Sequence, residues 1–381
     1  MSTDSPESRN ILFVSSTSDF YGAERSLLEV VKRMGPPWRA HFLVPGPGRF
    51  TDALSQANFP VYRLNLEIKP RAPWRLRRVP VIFRLARLIW ARRIHLVHLN
   101  LHFDAPVVAA ACAITGVPLV VHVRNMITRP VDLLFRKVDG IICISQAVRK
   151  SLISEARLSL PAFARRLWVI PDGRDVSSYG RGKRNAIRKE FGLDDHTPLV
   201  GMVARITPMK GQDIFLQMAA LVSEKLPSAQ FLLVGGPCAP AEADYMLKLQ
   251  HLQKELRLGD RVIFTGYRED IPDILAAMDC FVHPSRRGAF VSVLIEAMAS
   301  GVPIVASDVD GIPECVGRAG AAMLISPMTA VACADGVIRI LSDKQLAANM
   351  AAIGRERAQR LYDISRLAGD TTCVFHALCK G

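Results

Sequence analysis

The sequence lacks the long apolar runs and the paired cysteines that mark membrane-spanning and disulfide-stabilised proteins. It has no run of about 18 uncharged apolar residues, so no transmembrane helix is expected. None of its 8 cysteines belongs to a CxxC motif, and several lie in apolar runs such as Ile142–Ile144, so we expect buried, reduced thiols of a cytosolic protein. Residues 1–10 are polar, and the apolar stretch Ile11–Ser16 is too short for a secretory signal. A cytoplasmic location is therefore expected.

Glycine and proline are too sparse for a fibrous or low-complexity protein. The 25 glycines and 24 prolines are scattered over 381 residues, which excludes a collagen-like repeat. Half of the residues are hydrophobic and 22% are charged, so the chain can bury a sizeable core and is not a disordered tail. At about 150 residues per domain, this length predicts two domains or three.

Acidic residues are too few to balance the basic ones. The chain has 49 Lys and Arg against 35 Asp and Glu, which gives a formal net charge of +14. A positive field of this size favours anionic partners, namely nucleotides, nucleic acid or an acidic membrane surface.

Short apolar runs recur in both halves, and a turn and a helical pattern follow each of them. Most runs are continuous in Val, Ile, Leu and Phe, which is typical of parallel strands buried on both faces. The strands predicted in the first half are Ile11–Ser16, Ala40–Val44, Val61–Leu66, Leu96–Leu101, Leu119–Arg124, Gly140–Ser145 and Leu167–Ile170. Those predicted in the second half are Leu199–Ala204, Gln230–Val234, Arg261–Thr265, Cys280–His283, Pro303–Ala306 and Ala322–Ile325.

Alternating strands and helices predict an α/β fold of two doubly wound, Rossmann-like domains that face each other across a cleft. Ligands are then expected beyond the carboxyl ends of the strands. A glycine-rich, basic stretch between Gly173 and Gly192 has the composition of a linker. We assign residues 1–175 to the first domain and 176–360 to the second, and expect the segment 361–381 to pack back on the first.

Two cations lie on the loop after the first strand of the second half. Arg205 and Lys210 are five positions apart, with Gly211 opening the next helix. A guanidinium fork, an ammonium and the amides of a helix N-terminus together suit a diphosphate. The alternative is that both are solvated loop charges.

A second candidate region runs from His283 to Pro303. A helix is predicted to begin near Ser292, with Glu296 one turn inside it in an otherwise apolar stretch. A buried carboxylate needs hydrogen-bond donors. Ligand hydroxyls and a neighbouring basic side chain are the two alternatives.

Ordered motifs in both halves carry a family resemblance. In the second half, across about Leu199 to Leu361, they are Arg205…Lys210-Gly211, Leu232–Gly236, Val262–Gly266, Pro284-Ser285 and Glu296–Ser307. In the first half they are weaker and comprise Tyr21–Leu27, Ile141–Ala147 and the turn Ile170–Asp175, in which Asp172 replaces the usual Asn. This set resembles the GT-B glycosyltransferases of family 4, which are retaining enzymes that use nucleotide sugars.

The resemblance implies roles for individual residues. Arg205 and Lys210 hold the donor diphosphate and stabilise charge on the departing nucleotide, and Glu296 bonds the ribose. Gly22, which has no Cβ, lets a loop of the first domain approach the phosphates. Backbone groups make the remaining donor contacts, at Tyr267 and Arg268 for the base and at Phe290, Val291, Ser292 and Val293 for the sugar and phosphates.

The sequence departs from the family pattern at several positions. Gly288 stands where the family has the first Glu of its Glu-x7-Glu motif, which contacts hydroxyls of the transferred sugar, and Val291 replaces a usual Gly. The family often has a catalytic His after the fifth strand of the first domain, and Arg124 is the residue nearest to that position here. His122 lies two residues earlier on the same face of the strand. Either residue lines the reaction centre or packs in the strand. His98 and His102 are weaker candidates.

No Asp-x-Asp triplet suits a nucleotide-bound divalent ion. Asp308-Val309-Asp310 comes nearest, but it lies in the family's Ser-x-x-Gly-Gly loop and is expected to be structural. We expect no metal and no cofactor, with the nucleotide-diphosphate sugar as co-substrate. Preorganised cations and helix amides lower the barrier by binding the charge that develops on the leaving group.

The segment Lys69–Arg93 is basic and amphipathic. It holds nine Lys and Arg and no acidic residue. Apolar residues at near-helical spacing and interleaved aromatics are Val81, Leu85, Leu88, Ile89, Trp74, Phe83 and Trp90. This pattern favours an anionic membrane surface or a lipid-linked acceptor. A plain surface helix and a nucleic-acid patch are the alternatives, and no nucleic-acid motif supports the last.

These observations predict a glycosyltransferase of the hexosyltransferase type. The expected reaction moves a sugar, with retention, from a nucleotide diphosphate to a glycan or lipid-linked acceptor in cell-envelope polysaccharide or lipopolysaccharide biosynthesis. The expected place is the cytoplasm, including the inner face of the membrane. The alternatives are a degenerate GT-B protein that binds nucleotide sugar without transfer, as the missing Glu at Gly288 suggests, and a nucleotide-sugar epimerase.

Overall fold

The computed structural model describes residues 8–66, 74–128, 138–155 and 166–379. It separates into two compact units. The N-terminal unit comprises Met1–Asp172 together with Ile364–Gly381, and the C-terminal unit comprises Gly173–Asp363. The division therefore falls three residues before the boundary predicted from the linker composition.

The N-terminal unit is built on a sheet that has seven parallel strands in the described residues, in the order β3-β2-β1-β4-β5-β6-β7. The strands are β1 (Arg9–Val14), β2 (Trp38–Val44), β3 (Val61–Arg63), β4 (Ile94–Leu99), β5 (Leu119–Val123), β6 (Gly140–Cys143) and β7 (Leu167–Val169). The helices are α1 (Gly22–Arg33), α2 (Arg49–Gln56), α3 (Trp74–Ala91), α4 (Ala105–Thr115) and α5 (Gln146–Glu155). The continuous apolar runs form the central strands because both faces of this sheet are covered.

The C-terminal unit repeats the design on a six-stranded parallel sheet in the order β10-β9-β8-β11-β12-β13. Its strands are β8 (Leu199–Val203), β9 (Gln230–Val234), β10 (Val262–Gly266), β11 (Cys280–His283), β12 (Ile304–Ser307) and β13 (Ala322–Ile325). Its helices are α6 (Arg184–Glu190), α7 (Gln212–Lys225), α8 (Pro240–Glu255), α9 (Ile271–Ala277), α10 (Ser292–Ser300), α11 (Ile312–Val316), α12 (Ala330–Ser342) and α13 (Lys344–Tyr362). The predicted α/β class with two Rossmann-like domains is confirmed.

The last helix, α14 (Ile364–Leu378), belongs to the N-terminal unit. Its Phe375 is fully buried, and the ring lies edge-on to Phe13 of β1 and to Trp38 of β2, with centroids 6.1 and 6.0 Å away. Arg9 also donates to the carbonyl of Cys379 at 3.0 Å. The helix therefore covers one face of the first sheet.

The expected burial of the cysteines is correct for five of the eight, and all eight are free thiols. The buried ones are Cys112, Cys143, Cys280, Cys315 and Cys333. The expectation is wrong for Cys238 and Cys373, which are exposed because one lies in the loop after β9 and the other on the outer side of α14.

The basic segment Lys69–Arg93 coincides over most of its length with α3. Lys69 and the side chain of Trp74 lie outside the described residues. Leu85 and Ile89 are buried, whereas Phe83 and Trp90 are exposed. Among the described residues, no helix is both long and apolar enough to cross a bilayer.

Candidate functional site

The loop after β8 is held tightly against the loop after β11. Gly211 has φ of +76°, and a Cβ built on it would lie 2.2 Å from the carbonyl oxygen of Pro284, so glycine alone allows this approach. Ser285 Oγ donates to the carbonyl of Met209 at 3.1 Å. These contacts fix the 3₁₀ turn Pro208–Lys210 at the carboxyl edge of the sheet.

Lys210 is a half-buried cation. Within the described residues its ammonium has no hydrogen-bond or ion-pair partner. Burial, assisted by the charge of Arg205, lowers the pKa of Lys210. His283, the last residue of β11, is buried, and neither ring nitrogen is hydrogen-bonded in the described part of the chain. Burial and the nearby Lys210 charge hold the pKa of His283 well below 6.5. The His283 ring is therefore neutral and supplies no counter-charge to Lys210.

Arg205 is more exposed than Lys210 and is ion-paired. Half of its side chain is accessible, and its Nε lies 3.3 Å from Glu242 Oε1 of α8. Because the Arg205 side chain is half exposed, solvent weakens this pair, and a phosphate can compete with Glu242 for the guanidinium.

Helix α10 begins at Ser292, as the sequence predicts. Val291 occupies the N-cap position, where its apolar side chain gives no cap to the first amides. Val291 is buried, and the ring of Phe290 packs edge-on to Tyr362 at 5.6 Å. The first turn, which includes Ser292 and Val293, therefore offers amide donors and the positive end of the helix dipole to an anion.

Glu296 has a basic partner that the sequence analysis did not identify. Its Oε1 accepts a hydrogen bond from Arg174 Nε at 2.7 Å, and both side chains are largely buried. Arg174 lies 122 positions away, on the turn after Asp172, so sequence spacing gave no signal of this contact. Glu296 Oε2 has no partner in the described residues and can still accept a ribose hydroxyl.

Tyr267 and Arg268 follow β10. The Tyr267 side chain is about half exposed, with 49% of it accessible. The Arg268 guanidinium donates to Glu190 at 2.5 Å and to Asp270 at 2.7 Å, and these hydrogen bonds to carboxylates raise its pKa. The Arg268 guanidinium is therefore occupied by carboxylates. The backbone contacts of Tyr267 and Arg268 with a nucleotide base stay a prediction.

A buried polar cluster lies in the N-terminal unit around Arg124, just beyond β5. Its Nη1 lies 2.5 Å from Asp172 Oδ1, and its Nε donates to Asn100 Oδ1 at 3.1 Å. Ser26 Oγ donates to the same Asp172 oxygen at 2.8 Å. Two of the departures from the family pattern, Arg124 near the His position and Asp172 in place of Asn, are thus the two halves of one ion pair.

The histidines of β4 and β5 lie deeper in this unit. His98 and His122 are buried with their rings edge-to-face at 5.7 Å. Burial and the Arg124 charge lower the pKa of His98 to about 3 and hold that of His122 well below 6.5. His102 lies in the turn His102–Asp104 with its ring 4.5 Å from that of Phe103. His98 and His122 are therefore neutral at ordinary pH.

The start of α1 contributes a second carboxyl group to this cluster. Gly22 is exposed and is the first residue of α1. Glu24, in the first turn, is buried, and its Oε1 lies 3.4 Å from both Ser15 Oγ and Asn100 Nδ2. Burial raises the pKa of Glu24. The sequence analysis assigned no role to Glu24 or Asn100, although Glu24 belongs to the motif that carries the resemblance.

The described residues contain no group of three or more His, Cys, Asp or Glu side chains that could hold a metal ion. The Asp308-Val309-Asp310 triplet is engaged in ion pairs, Asp308 with Arg318 and Asp310 with Arg287. On the loop after β11, Arg286 is paired with Asp213 and Arg287 with Asp310, whereas Lys210 on the loop after β8 has no carboxylate partner in the described part of the chain.

Two family descriptions match consecutive parts of the chain. "Glycosyltransferase Family 4" matches residues 20–178, and "Glycosyl transferases group 1" matches residues 183–357. The alpha-D-kanosaminyltransferase of Streptomyces kanamyceticus is 31% identical over 277 residues, which cover 68% of this chain and 69% of that protein. The chain belongs to glycosyltransferase family 4. The resemblance inferred from the motifs is thereby confirmed.

Other proteins also match this chain in sequence or in structure. The D-inositol 3-phosphate glycosyltransferase of Mycolicibacterium smegmatis is 34% identical over 198 residues, covering 51% of this chain and 44% of that protein. The chain thus spans less than half the length of that relative. The crystal structure of Anabaena Alr3699/HepE in complex with UDP and glucose matches with a TM-score of 0.83 and 25% identity, over 96% of this chain and 99% of that one. These matches support the GT-B fold for the chain.

Proposed function

We propose that this family 4 protein transfers a hexose-type sugar from a nucleoside diphosphate to a hydroxyl of an acceptor. The observation that carries the proposal is the half-buried Lys210 ammonium, which has no counter-ion in the described residues. Its loop is bonded to the segment that leads into α10, whose first turn has no side-chain cap. A donor diphosphate supplies the negative charge that both features lack.

The proposed mechanism is charge stabilisation of the leaving group. Breaking the bond between sugar and phosphate leaves an oxocarbenium-like sugar and a diphosphate with growing negative charge. Lys210 and the amides of α10 are positioned by the fold before the reaction, so they stabilise that charge with little reorganisation. Arg205 joins them when the phosphate displaces Glu242 from its guanidinium. Glu296 orients the ribose through Oε2. We propose that transfer needs no divalent metal, because these cationic groups meet the charge that a metal would otherwise neutralise. We also propose retention of the anomeric configuration, as the family resemblance implies.

The donor is proposed to be a UDP-hexose. HepE, one of the matching solved structures, is in complex with UDP and glucose. The proposed acceptor is a glycan or a lipid-linked molecule at the inner face of the membrane, and cell-envelope polysaccharide assembly is the proposed setting. The exposed aromatic and basic side chains of α3 support the membrane part of this proposal.

Thermal-shift titration with UDP-, GDP- and ADP-sugars tests the donor. A donor at about a hundred times its Kd stabilises the protein by about 2.7 kcal/mol, and only the preferred donor does so at low concentration. Lys210→Ala is expected to lower the rate of UDP release from that donor by about 10²–10³-fold with the fold intact. Lys225→Ala, at the exposed end of α7, is the matched control and keeps the wild-type rate. A chelator leaves the wild-type rate unchanged.

Equal rates for Lys210→Ala and Lys225→Ala would contradict the site. The second candidate function, binding of a nucleotide sugar without transfer, is favoured by Gly288, which leaves that loop without a carboxylate. Stabilisation by a donor without any release of diphosphate, even with acceptor extracts, would select that function.

A further inference from the structure

We infer that Asp310 supplies the carboxylate that binds hydroxyl groups of the transferred sugar. The inference rests on the proposed function and extends it to a residue on a different loop from Lys210 and Glu296. The decisive juxtaposition is between Asp310, after β12, and the amide of Gly288, after β11.

Asp310 adopts a backbone conformation that costs free energy. Its φ is +48°, in the left-handed region, where a residue with a Cβ is disfavoured by about 1–2 kcal/mol. Asp tolerates this region better than most residues, but glycine would form the same turn without the penalty. The position lies in the Ser-x-x-Gly-Gly loop of the family pattern, where glycine is usual. The carboxylate is therefore retained in this loop at a cost in stability.

The Asp310 carboxylate is bonded to the backbone at the position where the Glu-x7-Glu motif lacks its first Glu. Asp310 Oδ2 accepts hydrogen bonds from the Gly288 amide at 3.0 Å and from Arg287 Nε at 2.8 Å. The two loops are also joined by the Gly311 amide, which donates to the Gly288 carbonyl at 2.8 Å. The loop after β11 lacks an acidic side chain at Gly288, and the loop after β12 places the Asp310 carboxylate against the Gly288 backbone.

One oxygen of this carboxylate remains available. Only 16% of the Asp310 side chain is accessible, and Oδ1 has no hydrogen-bond partner in the described residues. Oδ1 is open to solvent instead of buried, so a ligand hydroxyl can donate to it without displacing a protein donor. Sugar hydroxyls are such donors, and two hydroxyls on adjacent carbons can share one carboxylate.

The position is suited to a sugar carried by the bound diphosphate. A Cβ built on Gly288 would lie 3.1 Å from Val291 Cγ2, so Gly288 packs directly against the N-cap residue of α10. The amides that follow Val291 are the proposed phosphate ligands. A sugar bonded to that phosphate would therefore lie beside the loops that carry Gly288 and Asp310.

The test compares a nucleotide sugar with its nucleotide. Asp310→Asn keeps a residue that tolerates the left-handed conformation and removes the charge. It is expected to weaken UDP-glucose binding about tenfold or more in calorimetric titration and to leave the Kd of UDP unchanged. Asp310→Gly relieves the backbone strain and removes the carboxylate, so it should weaken UDP-glucose binding at unchanged or higher thermal stability. Asp308→Asn is the matched control, because both Asp308 oxygens are bonded by Arg318.

The outcomes separate this inference from the proposed function. Suppose that the wild-type protein binds UDP-glucose. If the Asp310 variants then bind it with unchanged affinity, or lose affinity for UDP and UDP-glucose equally, the role of Asp310 is overturned and the proposed function stands. Wild-type protein that binds neither UDP nor UDP-glucose would refute the proposed UDP-hexose donor, and the role of Asp310 with it.

Discussion

The guanidinium of Arg124 is held in place by Asp172 and Asn100 in the interior of the N-terminal unit. Replacing one partner of a buried ion pair leaves an uncompensated charge and costs about 3–5 kcal/mol. A substitution of Arg124 would therefore leave Asp172 unpaired, and a substitution of Asp172 would leave Arg124 unpaired. The same dependence links Glu296 to Arg174 in the C-terminal unit.

His98 makes the N-terminal unit sensitive to acid. Its pKa is about 3 in the folded protein against 6.5 for an unperturbed group, so below pH 6.5 the unfolded chain takes up a proton that the folded protein does not. The stability linked to His98 is therefore fully present above pH 6.5 and is lost as pH falls towards 3. Between about pH 7 and about pH 5 this loss amounts to about 2 kcal/mol.

Urea unfolding followed by tryptophan fluorescence measures this loss, because all 4 tryptophans belong to the N-terminal unit. Wild-type protein should lose about 2 kcal/mol more than His98→Leu between the two pH values. The exposed His196→Gln should behave as wild type. An equal acid loss in wild type and His98→Leu would show that His98 is not the responsible group.

At the residue scale, sequence reasoning identified candidate positions but not their partners. Arg205, Lys210, Glu296 and Gly288 were all singled out from local spacing and from the resemblance. Arg174 reaches Glu296 of α10 over 122 positions, and Asp310 reaches Gly288 on the loop of the neighbouring strand over 22 positions. Such contacts depend on how parallel strands place their loops side by side, which a single sequence does not encode locally. The roles of the site residues remain predictions.

Among the elements, α3 presents two different sides. Leu85 and Ile89 are buried toward the unit, while Val79, Phe83 and Trp90 are exposed together with Arg84 and Arg87. The outer side therefore combines apolar and basic groups. This combination is typical of helices that lie at an anionic membrane surface.

We predict that Phe83→Ala and Trp90→Ala each weaken co-sedimentation with anionic vesicles at low salt. Full burial of such a side chain stabilises the bound state by about 1.5–3 kcal/mol. We therefore expect each substitution to lower the membrane partition coefficient about tenfold, if the exposed surface of the aromatic enters the interface. Phe103→Ala is the matched control, since Phe103 is 62% exposed but lies outside α3. Binding that is indifferent to lipid charge, to salt and to both α3 variants would refute the membrane proposal.

The secondary-structure elements were the most predictable level. Each predicted strand overlaps an observed one, because continuous apolar runs are required wherever helices cover both faces of a parallel sheet. The ends were less predictable: β3 stops at Arg63 instead of Leu66. Strand ends depend on pairing with a neighbour, and β3 is an edge strand that pairs with β2 alone in the described residues.

On the scale of the whole molecule, the two units depend on different parts of the chain. The C-terminal unit is continuous from Gly173 to Asp363, whereas the N-terminal unit is assembled from two segments that are far apart in sequence. The packing of α14 against β1 and β2 joins these segments. The stability of the N-terminal unit is therefore expected to depend on the final helix.

Phe375→Ala tests this dependence. The ring is fully buried against Phe13, Trp38 and His98, and its removal should destabilise the N-terminal unit by about 3–5 kcal/mol. Tryptophan fluorescence during urea unfolding reports this unit. Cys373→Ser, on the exposed side of the same helix, should unfold with wild type. If the two variants unfold at the same urea concentration, α14 does not support the first sheet.

The return of α14 also sets an order of events during synthesis. A ribosome releases the whole of the C-terminal unit before it releases the helix that covers Phe13 and Trp38. Until then the nascent first sheet exposes an apolar face, which is a target for chaperones and proteases, while the second sheet already has every segment it needs. Maturation of the first-made unit therefore waits until α14 has left the ribosome.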